Sequence, residues 1–139
     1  MKFYILVLLF LYNSLFANEL VREATNNLMS DLSGTYQDNE CGKLEYSVHL
    51  EDLNNDNIKE MFIIKYGSCL GGGAGMNVDL LIKQYGSWES QFNFPGGYKI
   101  LKETNLGFHD ILITGPGFCF PVWRWNGEKY ESHRKTCDH

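Results

Sequence analysis

The fold is decided by residues 44–66, LEYSVHLEDLNNDNIKEMFIIKY. From Leu44 to Leu50 apolar and polar side chains alternate, which is the period-two pattern of a half-buried strand. From Met61 to Tyr66 the apolar run is denser, which favours a central strand. The segment between them, residues 51–60, is rich in Asp, Asn and Glu. The stretch therefore predicts two antiparallel strands joined by a polar loop.

Short strands separated by Gly, Pro and Asn continue toward the C-terminus. Gly86-Ser87 is predicted as a two-residue turn between two of them. The further predicted strands are residues 78–85, 88–94, 98–101, 108–114 and 118–125. With the first two, this makes a meander of about seven strands.

A closing hairpin is predicted around Asn126-Gly127, the strongest short turn signal in the chain. With a two-residue turn there, Trp123 lies opposite Tyr130 as an aromatic core pair. On the other face Arg124 lies opposite Lys129, and like charges favour a solvated surface.

An amphipathic helix is predicted over residues 18–33, since Leu20, Ala24, Leu28 and Leu32 recur every four residues. No second helical pattern exists to make the crossover that parallel strands need. The predicted class is therefore α+β, with the N-terminal helix packed on an antiparallel meander.

The first residues, Met1–Ala17, have the layout of a secretory signal peptide: one Lys, a short apolar run and a small residue before a polar start. The apolar run is shorter than the about 20 residues that span a bilayer, although an uncleaved anchor is the alternative. Cleavage leaves residues 18–139 as one domain without a stable membrane span. The predicted location is periplasmic or extracellular.

Composition limits the partners of this domain. The chain of 139 residues has a formal net charge of -5 and is 14% aromatic. Nucleic acid and anionic lipid attract clustered Lys and Arg, so an acidic chain is a poor candidate for either. The large aromatic content favours a packed core over disorder.

Four cysteines, at positions 41, 69, 119 and 137, predict two disulfides in an exported chain. If Leu50 lies opposite Glu60, the same register places Cys41 opposite Cys69. The closing hairpin brings Cys119 near Cys137. The pairing of Cys69 with Cys119 and Cys41 with Cys137 stays open, as does a zinc set of Cys119, His133, Cys137 and His139.

The polar loop carries oxygen donors at alternate positions: Asp52, Asn54, Asp56, the carbonyl of Ile58, and Glu60. Calcium binds six to eight hard oxygens, and a tight loop can aim alternate positions at one centre. The same Asp and Asn side chains can instead hydrogen-bond their own turn backbone. Calcium binding and self-capping both remain open.

The segment Asp52–Glu60 and the strand after it resemble the Asp-Leu-Asn-Gly-Asp-Gly-x-x-Glu loop of FG-GAP and VCBS-like extracellular proteins. Small exported bacterial proteins of unknown function carry one such loop. Residues 68–75 are similar to the Cys/Gly-rich turn that follows it there, and residues 125–130 to a closing Trp-Asn-Gly-x-x-Tyr hairpin. The resemblance runs from about residue 44 to 131 and implies a loop that binds calcium or forms a rigid turn.

Two functional hypotheses follow. The first is a non-enzymatic binding module, in a sharper form an inhibitor or immunity protein against a cell-envelope toxin or hydrolase. Its predicted partner contacts are Gly71, Gly72 and Gly73, where a partner's backbone can come close, with Arg124 and Lys129 on the polar hairpin face. The alternative is a small periplasmic hydrolase.

The hydrolase hypothesis requires groups that the sequence does not bring together. His109, His49 or an acidic pair would have to converge in one pocket. His109 and Asp110 are adjacent on a predicted strand, so their side chains point to opposite faces. No catalytic residue is predicted.

Overall fold

The computed structural model describes residues 31–137, and side chains from Ser33 onward. The predicted signal peptide and the predicted helix up to residue 30 lie outside this part. The described residues from Ser33 onward belong to one compact unit. Within residues 31–137, no helix is long and apolar enough to span a membrane.

Nine strands and one short helical segment make up the described chain. The strands are β1 Asp31–Asp38, β2 Gly42–Glu51, β3 Glu60–Tyr66, β4 Met76–Gln84, β5 Ser87–Pro95, β6 Gly97–Asn105, β7 Phe108–Thr114, β8 Phe120–Trp125 and β9 Tyr130–Thr136. The helical segment is α1, Ser68–Gly71, which continues into a 3-10 turn, Gly72–Ala74. The predicted strands correspond to β2–β8.

The α+β class is wrong. Strands make up 67% of the structure, in two antiparallel sheets, and no amphipathic helix packs on them among the described residues. Asp31 to Ser33, predicted to end the N-terminal helix, instead begin β1. The reason is tertiary: β1 pairs with β2, where Gly34 lies against the Tyr46 ring. Strand pairing overrides a local helical period, as packing commonly overrides propensity.

Two sheets with simple connectivity form the domain. Sheet 1 has the order β1-β2-β3-β4-β5 and sheet 2 the order β6-β7-β8-β9, so each strand pairs with its neighbour in sequence. The chain passes between the sheets through Gly96, whose φ is 129°. A Cβ there would lie 2.2 Å from the Thr114 carbonyl oxygen, so only glycine fits this crossing.

One hydrophobic core draws side chains from both sheets. It contains Phe62, Ile64, Val78, Leu80, Ile82 and Phe92 from sheet 1, Ile111, Ile113, Trp125 and Tyr130 from sheet 2, and Leu53 from the polar loop. Trp123 packs between Phe92 and Phe94, each with its ring centroid 5.3 Å away. The sheets are therefore joined by aromatic contacts across the core.

The first hairpin differs from prediction by one residue. Leu50 lies opposite Met61, and Glu51 lies opposite Glu60. The loop is consequently shorter than the acidic stretch, because both glutamates belong to strands.

Both disulfides form in the favoured pairing. Cys41 is bonded to Cys69 and Cys119 to Cys137, with Cα–Cα distances of 5.8 Å and 4.1 Å. Cys119 and Cys137 are therefore not free for a zinc set. The one-residue register error did not change the pairing, because Cys41 and Cys69 lie just outside the paired ends of β2 and β3.

The antiparallel order puts alternate loops at opposite ends of the domain. We call one end the hairpin end; it comprises residues 52–59, 85–86, 106–107 and 126–129. The other is the disulfide end, comprising residues 39–41, 67–75, 96, 115–119 and 137. The hairpin end contains the acidic loop, and the disulfide end contains both S–S bonds.

Candidate functional site

The acidic loop is organised by its own carboxylates. Asp52 accepts hydrogen bonds from the backbone N–H groups of Asn54 (3.4 Å), Asp56 (3.2 Å) and Asn57 (2.9 Å). Asp56 accepts one from the N–H of Ile58 at 2.7 Å. Burial raises the pKa of Asp52, but these backbone N–H groups outweigh it and the pKa is lowered. The structure thus contains the self-capped turn that was one of the two expectations.

Two asparagines allow the backbone of this loop to adopt left-handed conformations. Asn55 and Asn57 have φ values of 58° and 65°, in the left-handed region. Asn adopts that region more readily than most residues, so both positions of the turn are occupied without a glycine.

Glu60 is the first residue of β3, directly after the loop, and its side chain is buried. Its Oε2 accepts a hydrogen bond from the N–H of Leu53 at 2.8 Å. Burial raises the pKa of Glu60 to about 7, and the negative charges of Asp56 and Asp52 add to the effect. Near neutral pH this carboxyl therefore lies at the midpoint of its titration.

Leu53 fixes the loop to both sheets. Its side chain is fully buried in the shared core, and its carbonyl oxygen accepts a hydrogen bond from the N–H of His109 on β7 at 2.9 Å. Burial of Leu53 thus fixes the position of the loop and of the oxygen-bearing side chains next to it.

Four of the predicted calcium ligands, Asp52, Asn54, Asp56 and Glu60, have side-chain oxygens that accept hydrogen bonds from the protein itself. Asn54 Nδ2 donates to Asp56 Oδ2 at 3.0 Å, and Glu60 holds Leu53 as described. Across residues 31–137, no group of three or more His, Cys, Asp or Glu is arranged to hold a metal ion. The donor chemistry suits calcium, and binding would require these carboxylates to exchange backbone N–H partners for the ion.

Two tight turns at the hairpin end display large, mainly apolar side chains. Tyr85 and Gly86 have φ values of 50° and 82°, and Leu106 and Gly107 have 49° and 88°. Positive φ at both central residues is the type I′ pattern, which favours Asn, Asp or Gly at the first position. Tyr85 is fully exposed and Leu106 is 69% exposed.

The turn at Tyr85 corrects a prediction. The sequence placed the turn at Gly86-Ser87, whereas Gln84 pairs with Ser87 and the turn is Tyr85-Gly86. A tyrosine at a position that prefers Asn carries no turn signal, so Tyr85 was predicted as part of a strand.

The closing hairpin has a longer loop than predicted. Trp125 lies opposite Tyr130 and Arg124 opposite Glu131, not Trp123 opposite Tyr130 or Arg124 opposite Lys129. The Oδ1 of Asn126 accepts hydrogen bonds from the N–H groups of Glu128 and Lys129, both at 2.9 Å. These bonds stabilise a four-residue loop, Asn126–Lys129, instead of a two-residue turn.

The turns at the hairpin end touch one another. Gln84 Nε2 donates to the carbonyl oxygen of Glu128 at 2.8 Å. Leu106 lies beside Gly127, where its Cδ1 would be 3.4 Å from an added Cβ. A hollow of about 490 Å³ separates the β4–β5 turn from the closing loop; its lining includes Tyr85 and the predicted contact Lys129.

Arg124, the other predicted contact on that face, is engaged internally. It makes a two-pronged ion pair with the buried Asp110, with Nη2–Oδ2 at 2.7 Å and Nε–Oδ1 at 3.0 Å. The Asp110 hydrogen bond raises the pKa of Arg124, so the cation is retained. Sequence reasoning missed this pair, because it depends on the placement of β7 beside β8.

The predicted glycines Gly71, Gly72 and Gly73 line a groove at the disulfide end. The groove measures about 680 Å³, and its described lining is Gly71–Ala74, Phe94, Pro95, Ile113–Pro116, Cys119–Pro121, Trp123, Ser132 and Lys135. Gly71 is required for the close approach to β4, since a Cβ there would lie 2.3 Å from the Met76 backbone. Gly72 and Gly73 face open space.

His109 and His49 take separate partners. His109 Nδ1 lies 2.7 Å from the carbonyl oxygen of Leu101, while Asp110 binds Arg124. His49 Nδ1 lies 3.0 Å from the hydroxyl of Tyr98. His109 and Asp110 therefore do not form the pair that a catalytic triad requires.

Comparisons with known proteins give no relative from which to transfer a role: no protein-family model, no curated protein and no solved structure matches this chain.

Proposed function

We propose that this domain is an exported, non-enzymatic binding module that holds a protein partner at its hairpin end. The observation that carries the proposal is the placement of Tyr85 and Leu106 in left-handed turn positions with exposed side chains. Neither residue is the choice that the turn itself favours.

Tyr85 and Leu106 cost the isolated domain more free energy than they return to it. A left-handed backbone costs a non-glycine residue about 1–2 kcal/mol, and asparagine tolerates it best. An exposed side chain recovers little of that cost within the domain. Burial against a partner would return about 1.5–3 kcal/mol for a leucine-sized group. The residues therefore suit a complex better than the isolated domain.

The shape of the hairpin end suits a concave partner. Tyr85 and Leu106 project from two turns that each border the closing loop, and Ile58 of the acidic loop is 62% exposed at the same end. Charges there are mixed, with Glu128 next to Lys129. A projecting apolar surface of this kind favours insertion into a cleft, which fits an inhibitor or immunity protein directed at a cell-envelope hydrolase or toxin.

Calcium, in this proposal, stabilises the hairpin end and has no catalytic role. Asp52, Asp56 and Glu60 place three carboxyl groups in one short segment, and burial of Glu60 makes its negative charge unfavourable. A bound divalent cation would compensate that charge. The oxygen ligands predicted from the sequence, with Asn54 and the Ile58 carbonyl, are the type that calcium prefers.

Site-specific photo-crosslinking tests the proposal. A benzoylphenylalanine is placed at position 85 in cells that export the chain, and the same amino acid is placed at position 43 as a control. Lys43 is also exposed, but it lies on β2 near the disulfide end. We expect one discrete protein adduct from position 85 and none of that mass from position 43.

A second variant distinguishes a specific protein contact from non-specific crosslinking. Leu106→Asn in the chain with the position-85 probe should abolish the adduct, because both side chains belong to one contact surface. The absence of an adduct from position 85, or equal adducts from both positions, would contradict the proposed function.

A further inference from the structure

The groove at the disulfide end is built differently from the hairpin end. Its walls are apolar and aromatic, with Phe94 and Trp123 on the core side and Phe120 near the second disulfide. Its volume of about 680 Å³ is within the range of sites that hold small ligands or short peptide segments. Phe118, in the adjoining loop, is 81% exposed.

The apolar lining of the groove includes one charged side chain. Lys135 is the only ionisable side chain among the described lining residues, since Cys119 is in a disulfide. In residues 31–137 the single ion pair is that of Arg124 with Asp110, so no described carboxylate neutralises Lys135. In a chain of net charge -5, this local positive charge favours an anionic ligand.

Open backbone elsewhere in the lining favours a peptide over other anionic ligands. Nothing lies within 4 Å of where a Cβ would stand on Gly72 or Gly73, and both residues are exposed. Another main chain can therefore approach their backbone closely. An alkyl chain has no polar groups that would use such backbone, whereas a peptide has one donor and one acceptor per residue.

We propose that the groove binds the C-terminal segment of a polypeptide, with apolar side chains against Trp123 and Phe94 and the terminal carboxylate at Lys135. A carboxylate at the chain end satisfies the cation, and the preceding residues lie along the glycine segment. This site is separate from the hairpin end and does not depend on the function proposed for it.

The test starts from a library of random nine-residue peptides displayed with free C-termini, selected on the full mature chain. Enriched peptides are synthesised twice, with a free carboxylate and with a C-terminal amide, and affinity is measured by calorimetry. We expect enrichment of apolar C-terminal residues and about tenfold weaker binding for the amide, since a charge-assisted contact is lost.

Matched variants locate the site. Lys135→Gln should weaken the free-carboxylate peptide about as much as amidation does, and should leave the amide peptide unchanged. Gly73→Tyr should block the groove, whereas Gly73→Ala, which meets no atom within 4 Å, should bind normally. Tyr85→Asn, at the other end, should have no effect.

Three outcomes would overturn the inference: no peptide enriched above the starting library, equal binding of carboxylate and amide forms, or unchanged binding by Gly73→Tyr. Oleate serves as a competing probe. If oleate binds with Lys135 dependence while no peptide does, the groove is a lipid site and the peptide proposal is wrong.

Discussion

The two ends of this domain differ in what holds them together. At the disulfide end, Cys41–Cys69 and Cys119–Cys137 cross-link the loops. At the hairpin end, side chains hydrogen-bond their own turns, Glu60 is buried, and Tyr85 and Leu106 occupy left-handed positions. The covalent cross-links thus lie at one end, whereas the other end contains features that cost stability. Surfaces that bind partners are commonly drawn from such low-stability regions.

The largest expected effect is removal of a covalent cross-link. The disulfides join residues separated by 28 and 18 positions. Chain-entropy arguments assign each about 3–4 kcal/mol of the free energy of unfolding, slightly more for the longer loop. Cys41→Ser with Cys69→Ser should lower urea stability by about that amount. A loss below about 1 kcal/mol would mean that the disulfide end is not the stable one.

The next largest effect is the pH dependence that Glu60 gives to the free energy of unfolding, measured in EDTA so that no calcium is bound. The Glu60 pKa of about 7 in the fold lies above the ordinary value of 4.5. The folded state therefore binds the proton more tightly, so this contribution is full below about pH 4.5 and is lost as the pH rises through 7. The shift corresponds to about 3 kcal/mol. Denaturant titrations from pH 4 to 8 should show this decline, and Glu60→Gln should remove it. Parallel pH profiles for the two proteins would refute it.

Calcium should give a smaller gain. For a dissociation constant of about 10⁻⁴–10⁻³ M, 10 mM calcium stabilises the folded state by about 1.4–2.7 kcal/mol. The gain should be larger at pH 8 than at pH 5, because Glu60 must be ionised. Asp56→Asn should reduce it. If calcium leaves the melting temperature of the unmodified chain unchanged, the loop is only a self-capped turn.

The smallest effect is a gain from changing the exposed turn residues singly. Tyr85→Asn and Leu106→Asn should each raise the free energy of unfolding by about 1 kcal/mol, because asparagine tolerates positive φ. Ser87→Asn, just outside the first turn, is the control and should give no such gain. A decrease on either turn substitution would show that these side chains support the fold.

The sequence predicted strands β2–β8 and the two disulfides of this domain, but not β1. Period-two alternation identified β2, and the compartment inferred from the N-terminus made paired cysteines the expected state. The N-terminal pattern led to the wrong fold class. A four-residue period in the sequence contains no information that residues 31–38 pair with β2. The resemblance of the acidic loop to calcium-type loops stays a proposal.

The hairpin end could be located in the sequence but its geometry could not. Asn126 indicated a turn in the sequence. The length of that turn, however, depends on two backbone N–H groups that donate to the Asn126 side chain. Tyr85 gave no turn signal at all. Arg124 was predicted as a surface contact because its partner, Asp110, is distant in sequence and adjacent only once β7 and β8 pair.

The central claim is that the hairpin end trades stability for partner binding. The most direct measurement uses a benzoylphenylalanine at position 129, in the closing loop, with and without the double change Tyr85→Asn and Leu106→Asn. The account predicts that the doubly substituted domain is more stable and yet loses the partner adduct formed by the parent chain. An adduct that persists at full yield in the more stable variant would contradict it.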